Sequence, residues 1–334
     1  MNSDQSDALD TAQRWLEAGR GVALGTVINT WGSAPRQAGS VIAVRDDGAF
    51  DGSVSGGCVE GAVIEQAQAA IKDGKFRRLE FGVADEQAWS VGLACGGRIE
   101  ILVEPFASDR ARGTLRAINE ARRLERPVVR AIDLSTGEDQ LIDLNLDLKP
   151  LGQAAAAAAR ADRSANVELD GRPWFLALYN PAVDLVIVGA VHIAQALTKM
   201  AALVGFRVRV IDPRISFATA ERFPGVALSH DYPDEALARA PLGRRSALVV
   251  LSHDPKIDDP ALAAALASPA FYVGALGSKK TQAARCERLK SRGFSDETVA
   301  RIHGPVGLPI GAKSPEEIAL SIVAQITEVL RKAG

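Results

Sequence analysis

The sequence predicts an α/β protein in two parts: an N-terminal mixed α/β domain over residues 1–180, then a doubly wound parallel sheet over residues 181–334. Three observations carry this expectation. From Asp184 onward, short continuous apolar runs alternate with helical stretches, the pattern of parallel strands buried on both faces. Upstream, β-rich runs mix with helices and glycine-rich loops, as in a small antiparallel or mixed sheet. Asn180-Pro181 separates the two regions, because proline interrupts whatever precedes it. A chain of 334 residues, 47% of them hydrophobic, can bury a core in each part.

In the first part, Ala8 to Ala18 reads as a helix with Leu9, Ala12, Trp15 and Leu16 on one face and Gly19 as its stop. Val22 to Asn29 is a β-rich run, followed by the loop Thr30-Trp31-Gly32-Ser33-Ala34-Pro35-Arg36. Ser40 to Arg45 reads as a strand, Asp46-Asp47-Gly48 as a hairpin turn, and Ala49 to Val54 as the returning arm. Val59 to Ile71 reads as helix, Lys75 to Phe81 and Arg98 to Glu104 as strands. Ser108 to Leu124 is an amphipathic helix, Val128 to Leu134 a strand, Gln153 to Ala161 an alanine-rich helix, and Trp174 to Tyr179 a strand.

In the second part, strands are expected at Leu185 to Val188, Arg207 to Ile211, Ala247 to Leu251 and Phe271 to Ala275. Helices are expected at Ile193 to Val204, Asp234 to Ala240, Pro260 to Ala267, Lys279 to Ser291, Asp296 to Ile302 and Pro315 to Lys332.

Composition excludes several classes of function. With 39 Lys+Arg against 41 Asp+Glu the net charge is -2, which gives no support for a polyanion-binding surface, and no basic run alternates with aromatics to suggest nucleic acid. No apolar stretch approaches the roughly 20 residues of a membrane span. The polar start, Met1 to Asp10, lacks the features of a signal peptide. Three cysteines (Cys58, Cys95 and Cys286) make no disulfide framework and fit a reducing compartment, so the cytosol is expected.

Chemistry concentrates in two glycine–cysteine loops. Gly52-Ser53-Val54-Ser55-Gly56-Gly57-Cys58-Val59-Glu60 stands just before a helix, where free N–H groups and the positive dipole end favour anions and bias a thiol towards thiolate. Cys95-Gly96-Gly97 repeats the arrangement before a strand. Each cysteine has a second reading, as a small buried apolar residue. Cys286, in a helix among charged residues, is read as structural.

In the second domain, Gly189-Ala190-Val191-His192-Ile193-Ala194 occupies the first strand-to-helix turn. There a Rossmann-like dinucleotide fingerprint would read G-x-G-x-x-G/A. Val191 stands at the second glycine, whose missing side chain lets pyrophosphate approach. Asp212 ends the next strand, where an acidic residue can bind a ribose hydroxyl. Alternatively, Gly189 and Ala194 only allow close helix–strand packing. Further polar groups fall at strand ends on the same edge: Asp212-Pro213-Arg214, Ser252-His253-Asp254, Gly277-Ser278-Lys279 and His303-Gly304-Pro305-Val306-Gly307. Ligands of parallel sheets bind outside that edge. The His and Cys spacings do not indicate a metal site.

With these motifs in view, the chain resembles the XdhC/CoxI family of xanthine dehydrogenase accessory proteins. The likeness runs through Gly32 to Arg36, Gly52 to Glu60, Cys95 to Ile99 with Glu104-Pro105, Gly189 to Ala194, Phe206 to Arg214, Leu251 to Pro255, Phe271 to Ser278 and His303 to Leu308. It is loose from about Ser108 to Asn180. The resemblance implies a chaperone that binds and protects molybdenum cofactor (molybdopterin) and assists exchange of an oxo for a sulfido ligand. It also implies a cysteine desulfurase as sulfur source and delivery to a molybdenum hydroxylase of the xanthine or carbon monoxide dehydrogenase type, by a homodimer. The family usually reads Gly-Ala-Gly-His where this chain has Val191 before His192.

The candidate cofactor-binding residues are therefore Arg36, Ser55, Gly56, Gly57, Cys58, Cys95, Gly96 and Gly97, then Gly189, His192, Asp212, His253 and Ser278. Cys95 is the candidate molybdenum contact, since thiolates suit soft, sulfur-rich centres, and the opening loop is expected to cradle phosphate or pterin. The two glycine–cysteine loops are expected to face the strand ends of the second domain. A second hypothesis is an NAD(P)-dependent oxidoreductase using Asp212 with His192 or His253, against which Val191 counts. A third is a regulatory or scaffold protein.

Overall fold

The computed structural model describes residues 3–32, 36–82, 97–144 and 149–332. The chain divides into two compact units, Met1–Pro181 and Ala182–Ala333.

The first unit runs α1 (Ser3–Glu17), β1 (Val22–Trp31), β2 (Val41–Arg45), β3 (Phe50–Gly52), α2 (Glu60–Asp73), β4 (Arg77–Phe81), β5 (Arg98–Pro105), α3 (Asp109–Arg123), β6 (Val128–Asp133), β7 (Asp139–Ile142), α4 (Pro150–Arg160), β8 (Ala165–Leu169) and β9 (Arg172–Tyr179). Among the described residues these strands form two antiparallel sheets, ordered β3-β2-β1-β5-β4 and β7-β6-β9-β8. Alternation of side chains along each strand decides the layers. Ala23, Val27, Ile42, Ile101 and Val103 pack beneath Val63, Ala67 and Ala70 of α2. Leu24, Val41 and Leu102, from the opposite face of that sheet, share a core with α1, α3 and Val128, Ile132, Phe175 and Ala177 of the second sheet. The outer face of the second sheet is covered by Ala155 and Ala158 of α4.

One charge cluster sits in this unit. The buried Arg130 of β6 donates from Nη1 and Nη2 to the two oxygens of buried Glu104 on β5, at 2.9 and 2.8 Å, and from Nε to Asp139 on β7 at 2.5 Å. All three guanidinium nitrogens are thus met by carboxylates, which is what allows the charge to leave water. It also links one sheet to the other.

The second unit runs β10 (Asp184–Val188), α5 (His192–Leu203), β11 (Arg207–Ile211), β12 (Ala227–Ser229), α6 (Pro233–Arg239), β13 (Ser246–Val250), α7 (Pro255–Leu266), β14 (Tyr272–Ala275), α8 (Lys279–Ser291), α9 (Asp296–Val299), β15 (Ile302–His303) and α10 (Pro315–Lys332). Its strands are all parallel and ordered β12-β11-β10-β13-β14-β15, the 3-2-1-4-5-6 order of a dinucleotide-binding sheet. Leu185, Ile187, Ala247 and Val249 face α5 and α10. Val186, Val188, Leu248 and Val250 face the helices of the other side. The sheet is doubly wound, as its uninterrupted apolar strands predict. Among the described residues no helix is long and apolar enough to cross a membrane.

The structure departs from the sequence expectations where pattern is thin. Strands β7 and β8 were not expected, because they are outer strands in which few residues are buried. The three-residue β12 is too short to show a period. Helix α7 begins at Pro255 rather than Pro260: Asp254 caps it by accepting from the Lys256 N–H at 2.9 Å, with proline at its first position. Pro260 is carried inside the helix. The expected helix from Asp296 to Ile302 is a single turn followed by β15.

Breaking the sheet-to-sheet charge cluster tests its role. Arg130→Leu leaves the buried Glu104 without its partner, while Asp139 keeps Arg110 at 3.6 Å, so unfolding in urea is expected to show a loss of about 3–5 kcal/mol. An unchanged midpoint would show that the sheets are held by apolar packing alone.

Candidate functional site

In the first unit the glycine loop closes on one of its own side chains. Glu60, the first residue of α2, is buried and turns its carboxylate back into the turn. Oε1 accepts from Ser53 Oγ at 2.8 Å and from the N–H groups of Val54, Ser55 and Gly56 at 3.2, 2.9 and 3.1 Å. Oε2 accepts from Ser55 Oγ at 2.5 Å and the Gly57 N–H at 2.8 Å. Gly56 and Gly57 take φ of 79° and 116°, which turns successive N–H groups inward. Burial by itself would raise the Glu60 pKa, but the Ser55 hydroxyl and N–H and the Ser53 hydroxyl outweigh it and bring the group down to about 2.

The donors that the sequence offers to a phosphate or pterin are therefore held by an internal carboxylate in this structure. The loop is built for an oxyanion and carries one of its own. Ser55 and the two glycines stand in this turn, with Cys58 immediately after it. The Cys58 side chain is half-buried against the core under α2 rather than extended into solvent.

The topology gathers the other described candidates of this unit at one sheet end. Trp31 ends β1 and pairs with Arg98, the first residue of β5, so the buried Gly97 lies at that end too. The half-exposed Trp31 ring carries the Arg98 guanidinium at 4.7 Å from its centroid. Arg36 is half-buried in the loop between β1 and β2. Cys95 and Gly96 lie outside the described residues.

In the second unit Gly189, His192, Asp212, His253 and Ser278 all fall at or just beyond the carboxyl ends of the parallel strands. Gly189 has φ of 101°, and a Cβ there would lie 2.8 Å from the Ser252 nitrogen. The first turn thus abuts the end of β13, the close-packing role that the sequence left open. Val191 is the residue before α5, partly buried against the core, and gives the helix no side-chain cap. His192 is exposed at the helix start. Ser278 caps α8 by accepting from the Thr281 N–H at 3.1 Å.

Asp212 does not present a free carboxylate to a ribose. It is fully buried; Oδ2 accepts from the Ala190 N–H and from Arg214 Nη2, both at 2.7 Å, and Oδ1 accepts from Arg214 Nε at 2.8 Å. Burial opposes its ionisation, but the Arg214 contacts and the Ala190 N–H hold its pKa below the ordinary carboxylate range. Arg214 in turn lies over the Phe217 ring at 4.0 Å.

His253 is exposed and left-handed, with φ of 64°, a conformation costing a non-glycine residue about 1 kcal/mol or more. It sits between Ser252, whose hydroxyl donates to buried Asp258 at 2.5 Å, and the capping Asp254. Asp258 stands 3.6 Å from the buried Arg285, whose guanidinium also donates to Leu276 O at 3.0 Å and Gln282 Oε1 at 2.8 Å. Burial pushes the Asp258 carboxyl up, and Ser252 and Arg285 pull it part of the way back. This network ties the end of β13 to the turn after β14.

Sequence reasoning named Glu60 and Arg214 only as members of their motifs, without their roles, and missed Asp258 and Arg285. Glu60 carried a signal, an acidic residue closing a serine-rich turn at a helix start. Arg285 carried none, since an arginine in a charged helix reads as solvated. Among the described residues no group of three or more His, Cys, Asp or Glu could hold a metal ion.

A glycine-rich α/β unit followed by a parallel sheet in dinucleotide-binding order defines a Rossmann-containing protein of two units. The sequence matches the XdhC and CoxI family over residues 15–82 and the XdhC Rossmann domain over residues 185–326. It is 30% identical over 330 residues to the molybdenum cofactor insertion chaperone PaoD of Escherichia coli, covering 98% of this chain and 90% of that protein. It is 26% identical over 332 residues to a probable xanthine dehydrogenase subunit of Bacillus subtilis, covering 96% of each. A crystal structure of a xanthine dehydrogenase from Bacillus halodurans superposes with a TM-score of 0.76 at 26% identity, covering 97% of this chain and 96% of that one. The chain belongs to the XdhC and CoxI family.

Two outcomes follow from the site geometry. The Glu60 pKa lies below its ordinary 4.5, at about 2, so its stabilisation is full above pH 4.5 and is lost as pH falls towards 2. That share is on the order of 3 kcal/mol. Glu60→Gln should therefore flatten the acid limb of stability measured by urea midpoints between pH 6 and 3; an identical limb would show that other carboxylates set it. Gly189→Ala meets both a positive φ and the Ser252 backbone, and should destabilise the second unit by at least about 1–3 kcal/mol in thermal unfolding.

Proposed function

We propose that this protein binds molybdenum cofactor as cargo and delivers it to a molybdenum hydroxylase. The observation that carries the reading is the near full-length similarity to a chaperone of molybdenum cofactor insertion. It is supported by a glycine turn that brings a thiol, Cys58, to the start of a helix. A sulfur-rich molybdenum centre is matched by thiolate ligands. We assign that role to Cys58 and Cys95, with Arg36, Ser55, Gly56, Gly57, Gly96 and Gly97 shaping the loops around them.

In the second unit we assign cofactor contact to Gly189, His192, Asp212, His253 and Ser278. Their parts differ with their surroundings. His192 stands at a helix start without a side-chain cap, which suits a phosphate oxygen. Asp212 acts through Arg214 and Ala190, whose positions it fixes. Exchange of an oxo for a sulfido ligand, with sulfur from a cysteine desulfurase, belongs to the same proposal. So do a recipient of the xanthine or carbon monoxide dehydrogenase type, a homodimeric state and residence in the cytosol. An NAD(P)-dependent oxidoreductase is the alternative that the sheet order favours. The engagement of Asp212 and the valine at position 191 weigh against it.

Purification from a host that makes molybdenum cofactor should yield bound pterin, identified by the fluorescence of its oxidised form. On a desalting column the Cys58→Ala and Cys95→Ala chains should retain the cofactor about tenfold less than wild type. Equal retention by both would remove the thiols from the binding reading. A change at the nicotinamide absorbance band with candidate alcohols, and no pterin, would favour the oxidoreductase.

A further inference from the structure

We propose that Glu60 is a positioning residue: its carboxylate holds the Ser53–Gly57 turn closed and thereby sets how far the Cys58 thiol is accessible. The functional meaning of this inference rests on the reading of Cys58 as a cofactor contact; its geometry does not.

The residues on both sides of Cys58 donate their N–H groups into the carboxylate network. The Gly57 N–H donates to Glu60 Oε2 at 2.8 Å. The Val59 N–H donates to Ser55 Oγ at 3.0 Å, and that hydroxyl donates onward to Glu60 Oε2 at 2.5 Å. Cys58 is thus bracketed by two backbone donors that end on one oxygen.

Packing by the described residues does not supply the same restraint. Among the described residues a Cβ built on Gly56 or Gly57 would meet nothing within 4 Å, so no described side chain packs against the turn at these two positions. Val54 and Val59 are buried at its two ends and anchor it to the core. Between those anchors the two glycines have the greatest backbone freedom in the loop, and the bonds to Glu60 remove it. Without the carboxylate, the inward-facing N–H groups would have to turn to water, and the segment carrying Cys58 would turn with them.

The helix start adds a second reason for the charge. Glu60 occupies the first position of α2, which lacks a side-chain cap because Val59 precedes it. A carboxylate there also meets the positive end of the helix dipole. A neutral amide of the same shape would lose both this and the acceptor oxygen facing part of the donor set.

The test is the rate at which iodoacetamide alkylates each cysteine of the full chain, followed by peptide mass spectrometry. Cys286, a half-buried cysteine of the second unit, measures loosening of the whole chain, and the urea midpoint of each variant measures loosening confined to the first unit; a Cys58 rise that tracks that midpoint overturns the proposal. Glu60→Gln is expected to raise the Cys58 rate by about tenfold or more with the Cys286 rate unchanged. Ser55→Ala, which cuts the bridge to Val59, should give a smaller rise, and Glu60→Asp should fall between Gln and wild type. If the Gln chain does not fold, the Asp and Ala chains carry the same readout. An unchanged Cys58 rate, or equal rises at Cys58 and Cys286, would overturn the proposal. Cofactor retention by Cys58→Ala is read separately: wild-type retention would remove the thiol's role in binding, while the alkylation rates still decide the role of Glu60.

Discussion

A carboxylate taken out of water must be met by donors, and this constraint organises both units. Glu60 and Asp212 are both buried; Glu60 binds four backbone N–H groups of its glycine turn, and Asp212 binds the Ala190 N–H beside Gly189, in a turn that likewise leads into a helix. The turn and the acid are interdependent. Glu60 stays ionised because serine hydroxyls and N–H groups converge on it, and the N–H groups converge because glycines at positive φ let them, whereas Asp212 is held chiefly by Arg214. What the chain shows to solvent at these places is therefore not a row of open donors but a closed ring with a thiol or an arginine at its rim.

The fold was legible in the sequence where burial is complete. Strands β10 and β13 are near-continuous apolar runs, buried throughout, because both faces of the sheet are covered by helices. Strands β7 and β8 left no comparable trace. Each lies at the edge of a sheet, where a polar residue is easily accommodated, so the sequence there is free of the pattern that betrays a strand. The start of α7 was misplaced for a different reason. Two prolines compete as first-turn residues, and only the Asp254 side chain, by bonding to the Lys256 N–H, decides between them.

The site was legible in kind but not in wiring. Glycines beside a cysteine mark an unusual backbone, and the structure shows one. That the backbone is closed by Glu60 depends on where a flexible side chain turns, which no spacing rule contains. Asp212 shows the same limit. Its place at the end of the second strand marks it as a ribose ligand by position, whereas Arg214, two residues on, engages both of its oxygens. Family membership, by contrast, was carried by whole motifs, and it holds over nearly the full length of the chain.

The order of strands in the first sheet has a consequence for synthesis. Strand β1 lies between β2 and β5, so one edge can pair soon after it emerges from the ribosome while the other waits for Arg98–Pro105. At roughly 5–20 residues per second that wait is on the order of several seconds. During it an apolar strand, buried from Val22 to Ile28 in the finished protein, has an unpaired side. Helix α2 is complete before β5 arrives, and can shield one face of the nascent sheet but not its edge. Protection of this edge while the chain is still being made is thus a demand separate from the stability of the finished fold.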